Sequence, residues 1–395
     1  MRRPQRLLLT ASVALALHAT PRSVDAATPA PSSTLAVADG MTQLGFDLFA
    51  KLAAGDSNVV TSPLSIDQAL ALLYNGARGE TQRKCAAVMG LTDLSMPQAN
   101  HGFAALRKSL ITTDPAVQFD IANAIWPDHR EKLNAQYAER CRQYLSATVE
   151  PLDYHNPTVA ASKINGWVDK HTHHNIPTLV DASVVKDASV VLTNAIYFHG
   201  KWTTPFNKAA TVAGKFQTPN GSKKVPMMGR LGSMDYVGDA TYQAVSLPYG
   251  NGNLRMMVAI PRSGNDIASL VSQSWWNDVV DRVKPSEVGL SMPRFKASFS
   301  ADLTQPLQTL GLPKMGDYTG IATGGLGISA IIHKATIDVD EDGTVASAAT
   351  GIVMTRSIRA DIETMTVDRP FFFAIYDLQT KAVLFTGVIR DPAES

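Results

Sequence analysis

Residues 343–351 read GTVASAATG, preceded by the acids Asp340, Glu341 and Asp342 and followed by IVMTRSIRAD at 352–361. Nothing in the nine is larger than valine. Gly343, Gly351 and the β-branched residues 344, 345 and 350 oppose a helix. Linkers are richer in Gly, Ser and Pro, and buried strands usually carry larger side chains. None of the three ordinary structures suits the stretch, so its reading decides what the chain is.

The 395 residues are 45% apolar and 18% charged with net charge +1. That is the balance of a globular protein with an ample core, and it argues for neither nucleic-acid nor membrane-surface binding. No linker splits the chain after residue 40, so one body is expected over 40–395. The N-terminus differs. Arg2, Arg3 and Arg6 precede the apolar LLLTASVALALHA (7–19), and Val24 and Ala26 suit cleavage after Ala26. Residues 1–26 are therefore expected to be a signal peptide and the mature chain secreted, extracellular or periplasmic. Residues 27–39 are expected to be a disordered lead-in. Cys85 and Cys141 are the only cysteines. The sequence leaves open whether they pair.

Along the chain, Met41, Leu44, Leu48, Phe49 and Leu52 mark the face of an opening helix. Val59 and Val60 read as a short strand, followed by a helix with Ser62 as N-cap, Pro63 in its first turn and Gly76 at its stop. Residues 119–127 read as strand and 133–145 as helix. Residues 158–174 read as an amphipathic helix with Val159, Ile164, Trp167 and Val168 inward. Residues 187–202 form an apolar run too continuous for a sheet covered on one side only. From 214 to 262 strands alternate with tight turns, 287–299 is strand, and 371–392 is a buried hairpin. Helices dominate the first 180 residues and strands the rest, an α+β arrangement.

Enzymatic constellations are weak. His171, His173 and His174 cluster, with His155 earlier, but neighbours on a helix point apart, which favours a solvated helix end over a metal site. TGIATGGLG (319–327) lacks the flanking βαβ unit of a dinucleotide loop. Neither G-x-S-x-G nor H-E-x-x-H occurs. Asn220-Gly221-Ser222 is formally a glycosylation acceptor and equally a hairpin turn. Arg107-Lys108 is too small a basic patch for heparin or nucleic acid. No catalytic residue, metal or cofactor is expected.

The stretch has company. SNVVTSPLSIDQALALLYNGARGET (57–81), VVLTNAIYFHGKWTTPF (190–206), VPMMGRLG (225–232), VSLPYGNGNLRMMVAIP (245–261), MPRFK (292–296), IIHKATIDVDEDGTVASAAT (331–350) and DRPFFFAIYDLQTKAVLFTGVIRDP (368–392) follow in that order. Together they resemble the serpin family, over nearly the whole chain from about residue 40. The resemblance implies three β-sheets, eight or nine helices and an exposed reactive loop, in an inhibitor expected to be monomeric. It implies that Ser62, Ser65, Asn194 and His333 form a polar cluster governing the opening of the main sheet. Trp202 would lie near the top of that sheet, where the loop first inserts. Glu341, Gly343, Thr344, Ala346, Ser347, Ala348, Ala349 and Thr350 would form the hinge. One departure is Val345, where the family usually has glutamate.

The resemblance explains the small residues, because this hinge begins as loop and ends as a strand inside a sheet, the serpin case used as a general illustration of strand insertion. Side chains alternate in a strand. Thr344, Ala346, Ala348, Thr350, Ile352 and Met354 share one face; Val345, Ser347, Ala349, Gly351, Val353 and Thr355 share the other. If the first set faces inward, it starts small and slips between existing strands without overpacking. Residues 344–355 carry no charge and no proline, so no ion is buried and no ladder donor is lost. Extended, a dozen residues span roughly 40 Å.

The implied mechanism is a suicide substrate: a serine protease acylates the loop, the freed hinge inserts, and deacylation stalls. Sixteen residues counted from Glu341 end at Arg356 and seventeen at Ser357, while counting back from Pro370 points to Arg359, so the loop looks about two residues long. Arg356-Ser357 is the expected cut, suited to a trypsin-like pocket. Ser357-Ile358 would suit elastase-like or subtilisin-like enzymes, and Arg359-Ala360 stands third. A non-inhibitory binding protein or chaperone of the same fold is the alternative.

Overall fold

The computed structural model describes residues 30–111, 114–186, 188–262, 271–323, 331–344 and 362–394. The expected signal peptide, the expected hinge positions Ala346, Ser347, Ala348, Ala349 and Thr350, and the expected cut-site residues Arg356, Ser357, Ile358, Arg359 and Ala360 lie outside the described residues.

The first half holds α1 (Ser32–Leu52), β1 (Val59–Thr61), α2 (Pro63–Gly76), α3 (Gly79–Val88), α4 (Met96–Leu110), β2 (Val117–Pro127), α5 (Ala135–Leu145), β3 (Ala147–Val149), α6 (Pro157–His171), α7 (Ala182–Val185) and β4 (Val190–Lys201). Then come β5 (Val212–Thr218), β6 (Gly221–Gly238), β7 (Tyr242–Pro248), β8 (Leu254–Pro261), α8 (Gln273–Arg282), β9 (Lys284–Pro293), β10 (Phe295–Asp302), α9 (Thr304–Thr309), β11 (Ile332–Val339), β12 (Gly343–Thr344), β13 (Glu363–Thr366), β14 (Phe371–Asp377) and β15 (Val383–Ile389). The expected α+β segregation and helix number hold, with nine α-helices among the described residues.

The three expected sheets form two hydrogen-bonded ladders. One has six strands in the order β10-β11-β12-β4-β2-β3; the other runs β1-β15-β14-β8-β7-β6-β9-β13, with β5 also on β6. The fusion lies in β6, which is 18 residues long. It pairs with β5 and β9 over most of its length and with β7 at Asp235–Gly238, so two sheets share one strand.

The 371–392 region forms the expected hairpin, and every residue of β14 and β15 is buried. Alternation serves two cores: Phe371, Phe373 and Ile375 join the main cluster with α2, while Phe372, Ala374 and Tyr376 pack with α1 and α8. The same alternation sorts β4. Asn194, Ile196 and Phe198 face α2, whereas Ala195 faces α6, so both sides are covered as the apolar run required.

Two expectations fail. The lead-in was expected to be disordered to residue 39, yet α1 begins at Ser32, and Val37 and Ala38 are fully buried. They extend the Met41–Leu44–Leu48 stripe by one turn, and burial outweighs the polar composition of 31–34. Val159 was expected inward but is 51% exposed. Ala160 and Ala161 take the inner face of α6, since small side chains let the helix approach the sheet. Cys85 and Cys141 are both free and fully buried. Burial pushes their thiols up, to about 11 and about 12.

Candidate functional site at the β4–β11 seam

The centre of the six-stranded sheet is a seam between β11 and β4, joined among the described residues through β12 alone. Thr344 pairs with Val339 on one side and Gly200 on the other, and Gly343 pairs with Lys201. Gly343 and Thr344, the second and third of the expected hinge residues, are thus a strand antiparallel to both neighbours. Thr344 faces inward: it is 2% exposed, and its hydroxyl bonds that of Tyr249 at 2.7 Å. Gly343 has φ +155°, and a Cβ there would stand 2.0 Å from the Gly200 carbonyl oxygen. Only glycine tolerates so close an approach to a neighbouring strand.

The three acids at 340–342 are each fixed. Glu341 is 1% exposed and accepts from Arg294 Nε at 2.7 Å and from the Thr211 hydroxyl. Burial pushes its carboxyl up, but the Arg294 and Thr211 bonds outweigh this and hold it below the usual carboxylate range. Asp342 pairs with Lys208. Asp340 Oδ1 accepts the Asp342 and Gly343 amides, closing the turn into β12. Burial, together with the neighbouring Asp342 and Glu341, pushes the Asp340 carboxyl up.

Trp202 lies at this same end. Its backbone amide donates to Asp342 O and its indole nitrogen to Asp340 O, each at 2.9 Å, while its ring stacks on Tyr249 at 4.3 Å. The Phe206 amide holds the Glu341 carbonyl. Trp202 therefore grips the chain just where β12 starts.

Midway down the seam lie the polar residues. Ser62 caps α2, accepting from the Ser65 amide at 3.2 Å, and donates to Leu384 O at 2.6 Å. The Ser62 amide donates to Nε2 of His333 at 3.2 Å. Fully buried, the His333 imidazole is pushed down to about 4 by loss of solvent, so it stays a neutral acceptor. Asn194 stands across the seam on β4. No described hydrogen bond links it to Ser62, Ser65 or His333. It donates instead to Asn123 Oδ1 at 2.8 Å, and Asn123 reaches Leu145 O and Gln68. Among the described residues the Asn194 carbonyl oxygen and the Gln68 amide nitrogen are buried without a partner. So are both oxygens of Asp67, whose carboxyl burial pushes well above the usual range.

Sequence reasoning missed Arg294, Thr211, Tyr249, Asn123, Gln68 and Asp67. Asn123, Gln68 and Asp67 left a signal, each being polar inside an apolar run. Arg294 and Thr211 left none, because their role exists only where distant strands meet Glu341.

A six-stranded sheet with a seam entered by a glycine-led strand, flanked by fixed acids and a polar row, sits beside a larger sheet built around the buried β14–β15 hairpin. The serpin family profile, described as serine protease inhibitor, matches residues 39–392, and the chain belongs to that family. It is 32% identical over 351 residues to serine protease inhibitor 42Dd of Drosophila melanogaster, covering 85% of this chain and 92% of that one. An uncharacterized serpin-like protein of Thermococcus kodakarensis is 30% identical over 370 residues, covering 91% and 86%. Among solved structures, native protease nexin-1 with heparin aligns with a TM-score of 0.82 at 26% identity over 91% of this chain and all of that one. Human thyroxine-binding globulin complexed with its hormone aligns with a TM-score of 0.83 at 25% identity, over 91% and 99%.

Proposed function

We propose that the chain inhibits a serine protease as a suicide substrate, trapping it as an acyl complex by inserting the cleaved loop between β4 and β11. One observation carries this reading: Gly343 and Thr344 already pair as a strand with both neighbours, with Thr344 turned inward. Continued residue by residue, that register would bring position 350 between Asn194 and His333 in the inserted form. The small face that begins with Thr344 would then meet the polar row. The target is a trypsin-like protease that cuts this chain between Arg356 and Ser357, and the chain is exported after cleavage following Ala26 to act outside the cytoplasm as a monomer.

The test is incubation with trypsin-like, elastase-like and subtilisin-like proteases. An SDS-stable complex with the first group, and mass-spectrometric cleavage after Arg356, supports the reading. Cleavage only after Ser357 or Arg359 moves the bond, and turnover with every protease without a complex ends the inhibitory reading. Likeness to thyroxine-binding globulin favours a second reading, a binding protein that does not inhibit. A thermal melt before and after loop cleavage separates the two. A sharply higher midpoint belongs to insertion, an unchanged one to the binding protein.

A further inference from the structure

Eight large apolar side chains are exposed among the described residues, and three of them border one face of the larger sheet. Strands β13, β9 and β6 lie side by side there. Thr364, Gly289 and Leu231 form one row across them, and Thr366, Ser291 and Gly229 the next. On the other side of the first row Ser233 pairs with Glu287, and alternation from Thr364 places Ile362 beside them. Leu231 is 45% exposed and Ile362 39%. Val212 of β5 stands opposite Met227 and is 63% exposed at the border of the same face.

The two faces of these strands differ. Val288, Leu290 and Met365 are buried in the main core. Outward, little covers the backbone. A Cβ on Gly289 would meet only the Glu363 carbonyl oxygen at 3.8 Å and Leu231 Cδ1 at 4.0 Å, and one on Gly229 only the Ala210 carbonyl oxygen at 3.8 Å. These are ordinary contacts, so both positions have room for a side chain and carry none. The result is an open floor between Leu231 and β13. Glu287 is the charged residue of these rows, exposed and without an ion pair among the described residues.

The place of this face in the chain says what can cover it. Ile362 is the first described residue after the segment expected to hold the cut, and five residues separate it from Arg356. Fully extended, that tether reaches roughly 20 Å. A protease of about 220 residues has a radius of gyration of roughly 17 Å. A body of that size on so short a tether brings its own surface against the strands beside Ile362.

We propose that the outer face of β13, β9 and β6, with Leu231, Ile362 and Glu287, is a second docking surface for the attacking protease, which meets it with apolar side chains and a cationic one. The proposal rests on the inhibitor reading above and says where the protease is held besides the cut bond. The apolar side chains lose water on contact. Glu287 steers and orients a cationic rim. The bare glycines let a loop of the partner approach the strands closely. Contact here sets how fast the loop is engaged. It leaves insertion untouched, because these residues belong to the other sheet from the β4–β11 seam.

The test uses the mature chain and cationic trypsin. The second-order rate of loss of intact chain is read from SDS gels as the sum of covalent complex and chain cleaved within 345–361. The ratio of complex to cleaved chain is read separately. Leu231→Gln, far along the chain from the cut, should slow the total loss about three- to fivefold and leave the ratio unchanged. Glu287→Gln should slow it about twofold at low salt and hardly at all at high salt. Met315→Gln is the control, an exposed apolar site beside Gly316, which packs on Thr81 of α3, and it should change neither quantity. Melting curves confirm that the variants are folded. A wild-type rate in Leu231→Gln overturns the docking surface while the inhibitor reading stands. Cleaved chain without complex removes the inhibitor reading, and the total rate still decides the docking surface. A loop that trypsin leaves intact overturns both. A dimer of the free chain in sedimentation that Leu231→Gln dissociates would put a second copy on this face and overturn the proposal.

Discussion

The β14–β15 hairpin and the β4–β11 seam are both central β-structure, yet they are built on opposite principles. The hairpin is continuous: fourteen residues, all buried, with Phe371, Phe372 and Phe373 feeding two cores through alternate faces. The seam is interrupted. Its neighbours meet through two described residues, and its middle carries His333, Asn194, Asn123 and Gln68, some with polar atoms left unpartnered. Apolar burial stabilises without regard to partners, whereas a buried polar row is stable only when its bonds are complete. The insertion proposed above calls for the first kind of packing where strands stay together and the second where they part.

The comparison can be broken most easily from the hairpin side. Phe373→Ala should cost about 3–5 kcal/mol of unfolding free energy, read from denaturant titration, because it empties a site shared with Phe295 and β15. If a seam substitution costs as much, the contrast fails.

Next in size is acid. His333 is neutral when folded and, once unfolded, takes a proton near pH 6.5, so its contribution is complete above about 6.5 and falls away as pH drops toward about 4. The loss should approach about 3 kcal/mol, and His333→Gln should flatten it in melts taken across that window.

Asp67 runs the other way. Its folded carboxyl holds its proton well above the usual range while the unfolded chain releases it, so stability falls as pH rises from about 4. Asp67→Ala should gain about 1–2 kcal/mol near neutral pH, by removing a buried group with no partner. A destabilised variant there would mean that Asp67 has a partner in solution.

Smallest is Ser62→Ala, which loses the α2 cap and the bond to Leu384 O, about 1 kcal/mol in a thermal melt. That change should also speed uptake of a labelled 344–355 peptide into the sheet, and no equivalent change in the hairpin should do so. Equal effects on uptake from Ser62→Ala and Phe373→Ala would erase the distinction between the two regions.

Much was legible because it depended on local pattern. Alternation in FFFAIYD, the Ser62-Pro63 cap, the Asn220-Gly221 turn and the hinge composition all act over a few residues, where side-chain periodicity and backbone preference dominate. The serpin resemblance rested on such pieces standing in order. The start of α1 was misread because a polar composition outweighed the Val37–Met41 stripe, and Val159 because hydrophobicity alone does not say how close a helix must come to its sheet.

By itself the sequence determined the family and the two alternating faces that start at Thr344 and Val345; the inward turn of Thr344 and the need for glycine at 343 came from the neighbouring strands. Only the tertiary structure decided that Glu341 is held by Arg294 and Thr211, that Asn194 bonds Asn123 rather than His333, and that His173 crosses to Asp120. The reason is distance along the chain. Those partners are 47, 130, 71 and 53 residues apart, and nothing in a local pattern specifies which polar groups folding will bring within hydrogen-bond reach.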